Sequence, residues 1–318
     1  MTMHRTVAPR TVSLPGRGVS LSRARASLSR AVPPYLLVAP AALLLTTFGI
    51  LPILVALLVS FTDMDISGLA NRENVQFVGF ENYRRLFEDA DFRQAAVNTC
   101  LFVGMGVPVV VVGSMFIAIG LNMRDNRYFR LLRGFYFLPA ITAIVAISVI
   151  WGYLYNTDFG LFNQALESVG LPSQPWLAEP WFARASVVAV AVWRATGLNI
   201  VLFCAALQSI PKEYYEAASL DGASRWKTTV LITVPLLRFA TFFVTVTTLI
   251  AWLQFFDEPF VLTDGGPAGS TTSVSLYIYQ NGFRFNEFGF ASAASVVLFG
   301  AIFAVTAVQM KLRGSDDN

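Results

Sequence analysis

EAASLDGASRWKTTVLITVP, residues 216–235, is a polar stretch set between two apolar runs that are each long enough to cross a bilayer. It carries both signs of charge and helix punctuation at both ends. Pro211 stands where a helix can start, because first-turn N–H groups have no intrahelical partner and proline has none to lose. Gly222 stands where a helix can stop, because glycine takes the left-handed conformation that caps it. Between them Glu213, Glu216 and Asp221 alternate with Tyr214, Ala217, Ala218 and Leu220. Small residues on one side of such a helix let a partner's backbone come close. A hydrophilic helix held at the membrane surface by two spans is placed to pass force to a soluble protein.

The flanking runs belong to a series of six, at about residues 35–61, 94–121, 132–155, 183–210, 236–263 and 288–311. Each exceeds the roughly 20 residues that the hydrocarbon requires. Pro40, Pro52 and Pro108 fall inside them, which is tolerated where neighbouring helices or water satisfy the freed carbonyls. That favours a packed bundle over isolated anchors. The expected fold is all-α: a polytopic domain of six transmembrane helices over residues 35–311, with the loop 211–235 at its surface. Residues 1–34 scatter six arginines among Ser, Pro and Gly, a composition that buries no core and reads as a disordered tail. Residues 312–318 form a second, short tail. The first apolar run is too long for the core of a cleaved signal peptide, so it is expected to remain as a span.

Composition agrees. The 318 residues are 55% hydrophobic and only 14% charged, where soluble domains carry about a quarter. Cys100 and Cys204 both lie in apolar runs and suggest neither a disulfide framework nor a metal site. The single histidine, His4, is in the tail, so histidine-dependent catalysis has no candidate in the folded part. The adjacent Asp257 and Glu258 are the nearest thing to a catalytic constellation, and an embedded enzyme is correspondingly disfavoured. There is no Walker A pattern, so ATP hydrolysis would belong to another chain. No inverted repeat relates the halves, as a stand-alone secondary transporter requires.

Lys and Arg set the orientation. Sixteen of the 23 fall on the side of the tails, among them Arg124, Arg127, Arg130 and Arg133, then Lys212, Arg225, Lys227 and Arg238. Six fall on the other side, and Arg194 lies inside a span. Positive charge collects in the cytoplasm, which puts both termini and the loop 211–235 there.

The loop resembles the EAA loop of ABC-importer permeases: Glu-Ala-Ala, three residues, Gly, nine residues, then Ile-x-Leu-Pro. Here Glu216, Ala217, Ala218, Gly222, Ile232 and Pro235 match, and Val234 replaces the usual leucine. Val78-Gly79-Phe80 with Asn82-Tyr83, then Gly160, Leu161 and Asn163, then TDGGP at 263–267 are similar to further family segments. The resemblance covers about residues 38–311 and is nearest the carbohydrate-uptake group, in the maltose and glycerol-3-phosphate first-permease branch. It implies a type I importer permease in a bacterial plasma membrane. The implied partners are a second homologous permease, an ATPase dimer that binds ATP and Mg, an extracytoplasmic solute-binding protein and a small polar solute. Membrane lipid surrounds the chain, and no nucleic acid or cofactor is implied for it. The solute is a sugar or, as the alternative, a glycerol phosphate. The resemblance also assigns the ATPase contact to Glu216, Ala217, Ala218, Ser219, Asp221 and Gly222. Glu216 would lock to a basic residue, and Asp221 would anchor the turn.

A charged side chain at bilayer depth costs about 2.5–3.5 kcal/mol on insertion scales, which singles out Arg194. The resemblance places the solute near the membrane centre, against the fourth and fifth spans. The matching positions are Arg194, Ala195, Leu198 and Asn199, with Thr248, Ala251, Trp252 and Phe255. Two readings stand side by side for Arg194: it faces the solute, or it pairs with Asp257 or Glu258 and ties two helices together. Trp193 and Trp252 likewise offer flat faces to a sugar, or pack and anchor.

Overall fold

The computed structural model describes residues 37–122 and 127–316. The expected tail 1–34, with its six arginines, lies outside them, as does Arg124. The chain divides into two units, residues 1–55 and 56–318. Among the described residues the secondary structure is helical, with one isolated antiparallel bridge between Thr62 and Phe77.

Among the described residues four helices are long and apolar enough to cross a membrane: α1 (Leu37–Val59), α4 (Ala90–Asn122), α8 (Pro180–Gln208) and α13 (Phe288–Asp316). Short helices α2 (Ile66–Ala70) and α3 (Glu81–Glu88) precede α4. Two more candidate spans are bent pairs. Helix α5 (Arg127–Ile141) meets α6 (Ile144–Leu154) at 97°, and α10 (Arg225–Leu236) meets α11 (Arg238–Leu253) at 65°. The six expected spans are matched only if each bent pair counts as one. The remaining helices are α7 (Leu161–Ser168), α9 (Glu213–Leu220) and α12 (Val274–Tyr279).

Proline explains both bends. Pro139 cannot donate to the carbonyl of Phe135, so α5 ends within one turn of it. Thr142 Oγ1 then donates to Leu138 O at 2.8 Å, and Ala143 is extended, so α6 starts in a new direction. Pro235 likewise leaves the Leu231 carbonyl without its usual donor. The ladder widens into a π turn at Thr229–Thr233 and the chain breaks at Leu237. The expected fifth span, 236–263, therefore ends as helix at Leu253. A second π turn, Pro259–Thr263, follows the break.

The main core lies where α4, α8 and α11 meet, around Phe102, Val110, Ile200, Phe203, Val244 and Trp252. Gly197 lets α8 approach α5: a Cβ there would stand 2.3 Å from the Tyr136 carbonyl oxygen. Gly106 does the same for the Trp252 ring, which would lie 2.0 Å from a Cβ. A second cluster joins Leu86, Phe92, Tyr277 and Phe290, and a third joins Ile147, Tyr155 and Val190. Outside these cores the spans expose large apolar side chains, among them Val109, Val112, Phe116, Val149, Phe299 and Phe303. Apolar exposure on that scale is abnormal in water and ordinary in lipid.

Candidate functional site

Helix α9 carries the sequence EYYEAASL and stands between the ends of α8 and α10. Its C-terminus closes as the glycine requires: Gly222 has φ +71°, Gly222 N–H donates to Ser219 O, and Ala223 N–H donates to Ala218 O at 2.9 Å. The Asp221 backbone N–H donates to Ala217 O. The next helix is capped by Ser224, whose hydroxyl accepts from Lys227 N–H. Helix α9 rests on the bundle through Ala218, which is buried, and through Tyr215, whose hydroxyl accepts from Thr233. Glu216, Ala217, Ser219, Asp221 and Gly222 are exposed. Of the two motif alanines, Ala217 faces outward and Ala218 packs on this chain's own helices. A shallow groove of about 400 Å³ runs beside them, lined by Glu213, Tyr214, Ala217, Ala218, Asp221 and Ile232. Elsewhere on the loop Leu220 is 89% exposed and Trp226 68% exposed, apolar surface that water disfavours.

The second group lies deeper in the bundle. Arg194 Nε donates to Glu258 Oε1 at 2.8 Å, and its Nη2 lies 3.7 Å from Asp257 Oδ2. Glu258 is fully buried, whereas Arg194 and Asp257 remain partly exposed. Asn199 Nδ2 donates to Ala195 O at 3.1 Å and reaches Thr248 Oγ1 at 3.4 Å, joining α8 to α11. Trp252 and Phe255 are buried and stacked, with centroids 5.1 Å apart, and Phe102 meets Phe255 edge-on. Leu198 and Ala251 are exposed and Ala195 is half-buried. Trp193 is exposed and packs edge-on against Trp151. The structure thus gathers the named residues of α8 and α11, but sets Trp252 and Phe255 inside the core.

The family of binding-protein-dependent transport system inner membrane components matches residues 91–312. The chain belongs to that family. This permease is 36% identical over 282 residues to the lactose transport system permease protein LacF of Rhizobium radiobacter, covering 86% of this chain and 92% of that one. It is 34% identical to the arabinooligosaccharides permease AraP of Halalkalibacterium halodurans, covering 90% and 89%. It is 31% identical to the sn-glycerol-3-phosphate permease UgpA of Yersinia pestis, covering 92% and 97%. The fold is shared with a chain of a bacterial alginate ABC transporter solved with a pentasaccharide-bound periplasmic protein. There the TM-score is 0.77 at 22% identity, over 89% of this chain and 94% of that one. The chain is a multi-pass permease subunit of an ABC importer.

The loop motifs at 78–83, 160–163 and 263–267 have structural roles. Asn82 Nδ2 donates to the carbonyls of Ser60 and Thr62, closing the chain after α1. Asn163 gathers Thr157 O, Gln174 O, Gln174 N–H and the Trp176 indole N–H. The segment after TDGGP is held by two residues that sequence reasoning passed over. Asn98 Nδ2 donates to Gly269 O and Thr272 O, and Arg184 Nε donates to Ser270 O while its Nη2 reaches Asn98 Oδ1. An asparagine inside the apolar run of α4 was the available signal, because a buried amide demands partners.

Proposed function

We propose that this permease is one of two membrane subunits through which an ATP-driven importer takes up a carbohydrate, and that α9 is its contact with the ATPase. One observation carries the coupling assignment. Helix α9 shows its carboxylates, Ala217 and Gly222 outward beside an acid-lined groove, while Ala218 and Tyr215 seat it on the spans. In this reading a basic ATPase residue meets Glu216, and Ala217 and Gly222 admit the partner's backbone. ATP closes the ATPase dimer, which draws the loops of the two permeases together and rocks the spans until the cavity opens outward. Hydrolysis resets them. The loop then lies in the cytoplasm with both termini, and a solute-binding protein delivers from the other side.

The carbohydrate class is favoured by the lactose and arabinooligosaccharide permeases among the relatives. The geometry around Arg194 favours a neutral solute over a glycerol phosphate. Arginine suits phosphate because its fork matches two oxygens. Here Glu258 takes Nε at 2.8 Å and Asp257 stands 3.7 Å from Nη2, so two acidic side chains already face the guanidinium that a phosphate would need. Uptake of labelled oligosaccharides and of glycerol 3-phosphate, in cells with and without this chain, separates the two. Loss of sugar uptake alone supports the reading, and loss of glycerol 3-phosphate uptake alone overturns the solute class.

A further inference from the structure

Behind α9, on the side away from the acidic groove, lies a cavity of about 900 Å³. Its walls come from the ends of α4 and α8, the start of α5, and the first turns of α10. Among the described residues its charge is of one sign: Arg133, Lys212 and Arg225 line it, and no described Asp or Glu does. None of the three has an ion-pair partner among the described residues. Arg133 is half-buried, spends Nη2 on the Leu121 carbonyl at 3.0 Å, and keeps a buried Nε with no partner among the described residues. Tyr215 also lines the cavity, its hydroxyl 3.4 Å from that of Thr233. The inner wall is apolar, from Ile119 and Leu207, where two spans end.

Helix α9 therefore separates two fields, carboxylates in the groove on one side and, on the other, cations with no ion-pair partner among the described residues. Three cations held together repel one another, and an anion relieves that repulsion. Guanidinium and ammonium groups with a hydroxyl donor suit phosphoryl oxygens. An apolar wall at the end of two spans suits the first carbons of an acyl chain, and basic pockets between transmembrane helices take anionic headgroups.

We propose that this cavity binds a phosphoryl group, held by Arg133, Lys212 and Arg225 with Tyr215, and so fixes α9 against the bundle. The phosphoryl group comes from an anionic phospholipid or from free phosphate in the aqueous phase, and the same chemistry serves both. The proposal does not depend on which solute is carried.

The test uses the assembled transporter in nanodiscs of pure phosphatidylcholine. One arm adds phosphatidylglycerol and counts retained lipid by native mass spectrometry; the other titrates inorganic phosphate by calorimetry. Lys212→Gln with Arg225→Gln leaves the Arg133 bond to Leu121 intact, and Arg133→Gln is made separately. The expected result is saturable binding in one arm, weakened about tenfold or more in the double variant, since charge-assisted hydrogen bonds contribute more than neutral ones. Binding of phosphatidylglycerol alone identifies the lipid as the source, and binding of phosphate alone identifies the soluble ion. Binding in neither arm, or binding unchanged in the double variant, overturns the proposal.

Discussion

Arg194 of α8 and Glu258, beyond the break that ends α11, share a hydrogen bond of 2.8 Å in which the carboxylate is wholly buried and the guanidinium is not. The pair ties the segment that follows α11 to the middle of α8. Glu258 Oε2 has no partner among the described residues, so the arginine acts on the carboxylate through Oε1. Removing one partner of a buried pair typically costs about 3–5 kcal/mol. Arg194→Ala is expected to lower the yield of assembled complex, and Glu258→Met in the same chain to restore it, both read by size-exclusion profile. Normal assembly of the single variant with poor uptake would assign the arginine to the solute instead.

Gly222 separates backbone strain from partner contact. At φ +71° any side chain costs about 1–2 kcal/mol, yet no heavy atom of this chain lies within 4 Å of a Cβ built there. Gly222→Ala and Gly222→Trp should therefore destabilise the isolated permease equally. Only the tryptophan should abolish uptake, because only its bulk reaches the partner. Equal uptake in the two variants at equal expression would remove Gly222 from the contact.

Trp252 covers Gly106 so closely that a methyl group would overlap its ring. Overpacking of this kind costs about 1–3 kcal/mol. Gly106→Ala should lower the thermal midpoint of the complex, and Trp252→Leu in the same chain should recover part of it. If Trp252 were a sugar platform, the double variant would be stable and unable to transport. A stable double variant that transports marks it as packing.

Orientation has its own test. A cysteine at Ser224, the cap of α10, should react with an impermeant reagent only from the cytoplasm. One at Ser173, in the loop between α7 and α8, should react only from outside. Labelling of both from one face would overturn the six-span reading.

The spans and the loop between them were legible because apolar length and a glycine cap are local properties. Positions 211–235 needed no knowledge of the remainder of the chain. The bends were half legible: Pro139 and Pro235 mark where a ladder must break, but the 97° and 65° angles depend on what packs around them. Arg194 was found by its cost in the membrane, and its two readings could not be separated without knowing where Glu258 points. Trp252 and Phe255 were named as neighbours of the solute and lie in the core. An aromatic ring reads alike for either role, and the sequence does not show that Trp252 covers Gly106. Asn98 and Arg184 were passed over because their partners lie far away in sequence.

The coupling role of α9 is tested most directly by ATP hydrolysis in vesicles holding this chain, its partner permease and the ATPase, with solute-loaded binding protein added. The wild-type complex should hydrolyse ATP faster when the loaded binding protein is present. Glu216→Lys should remove that stimulation, because it reverses the charge offered to the partner on an exposed face, while all subunits still co-purify. Stimulated hydrolysis and uptake that persist unchanged in Glu216→Lys would contradict the assignment of α9 as the coupling helix.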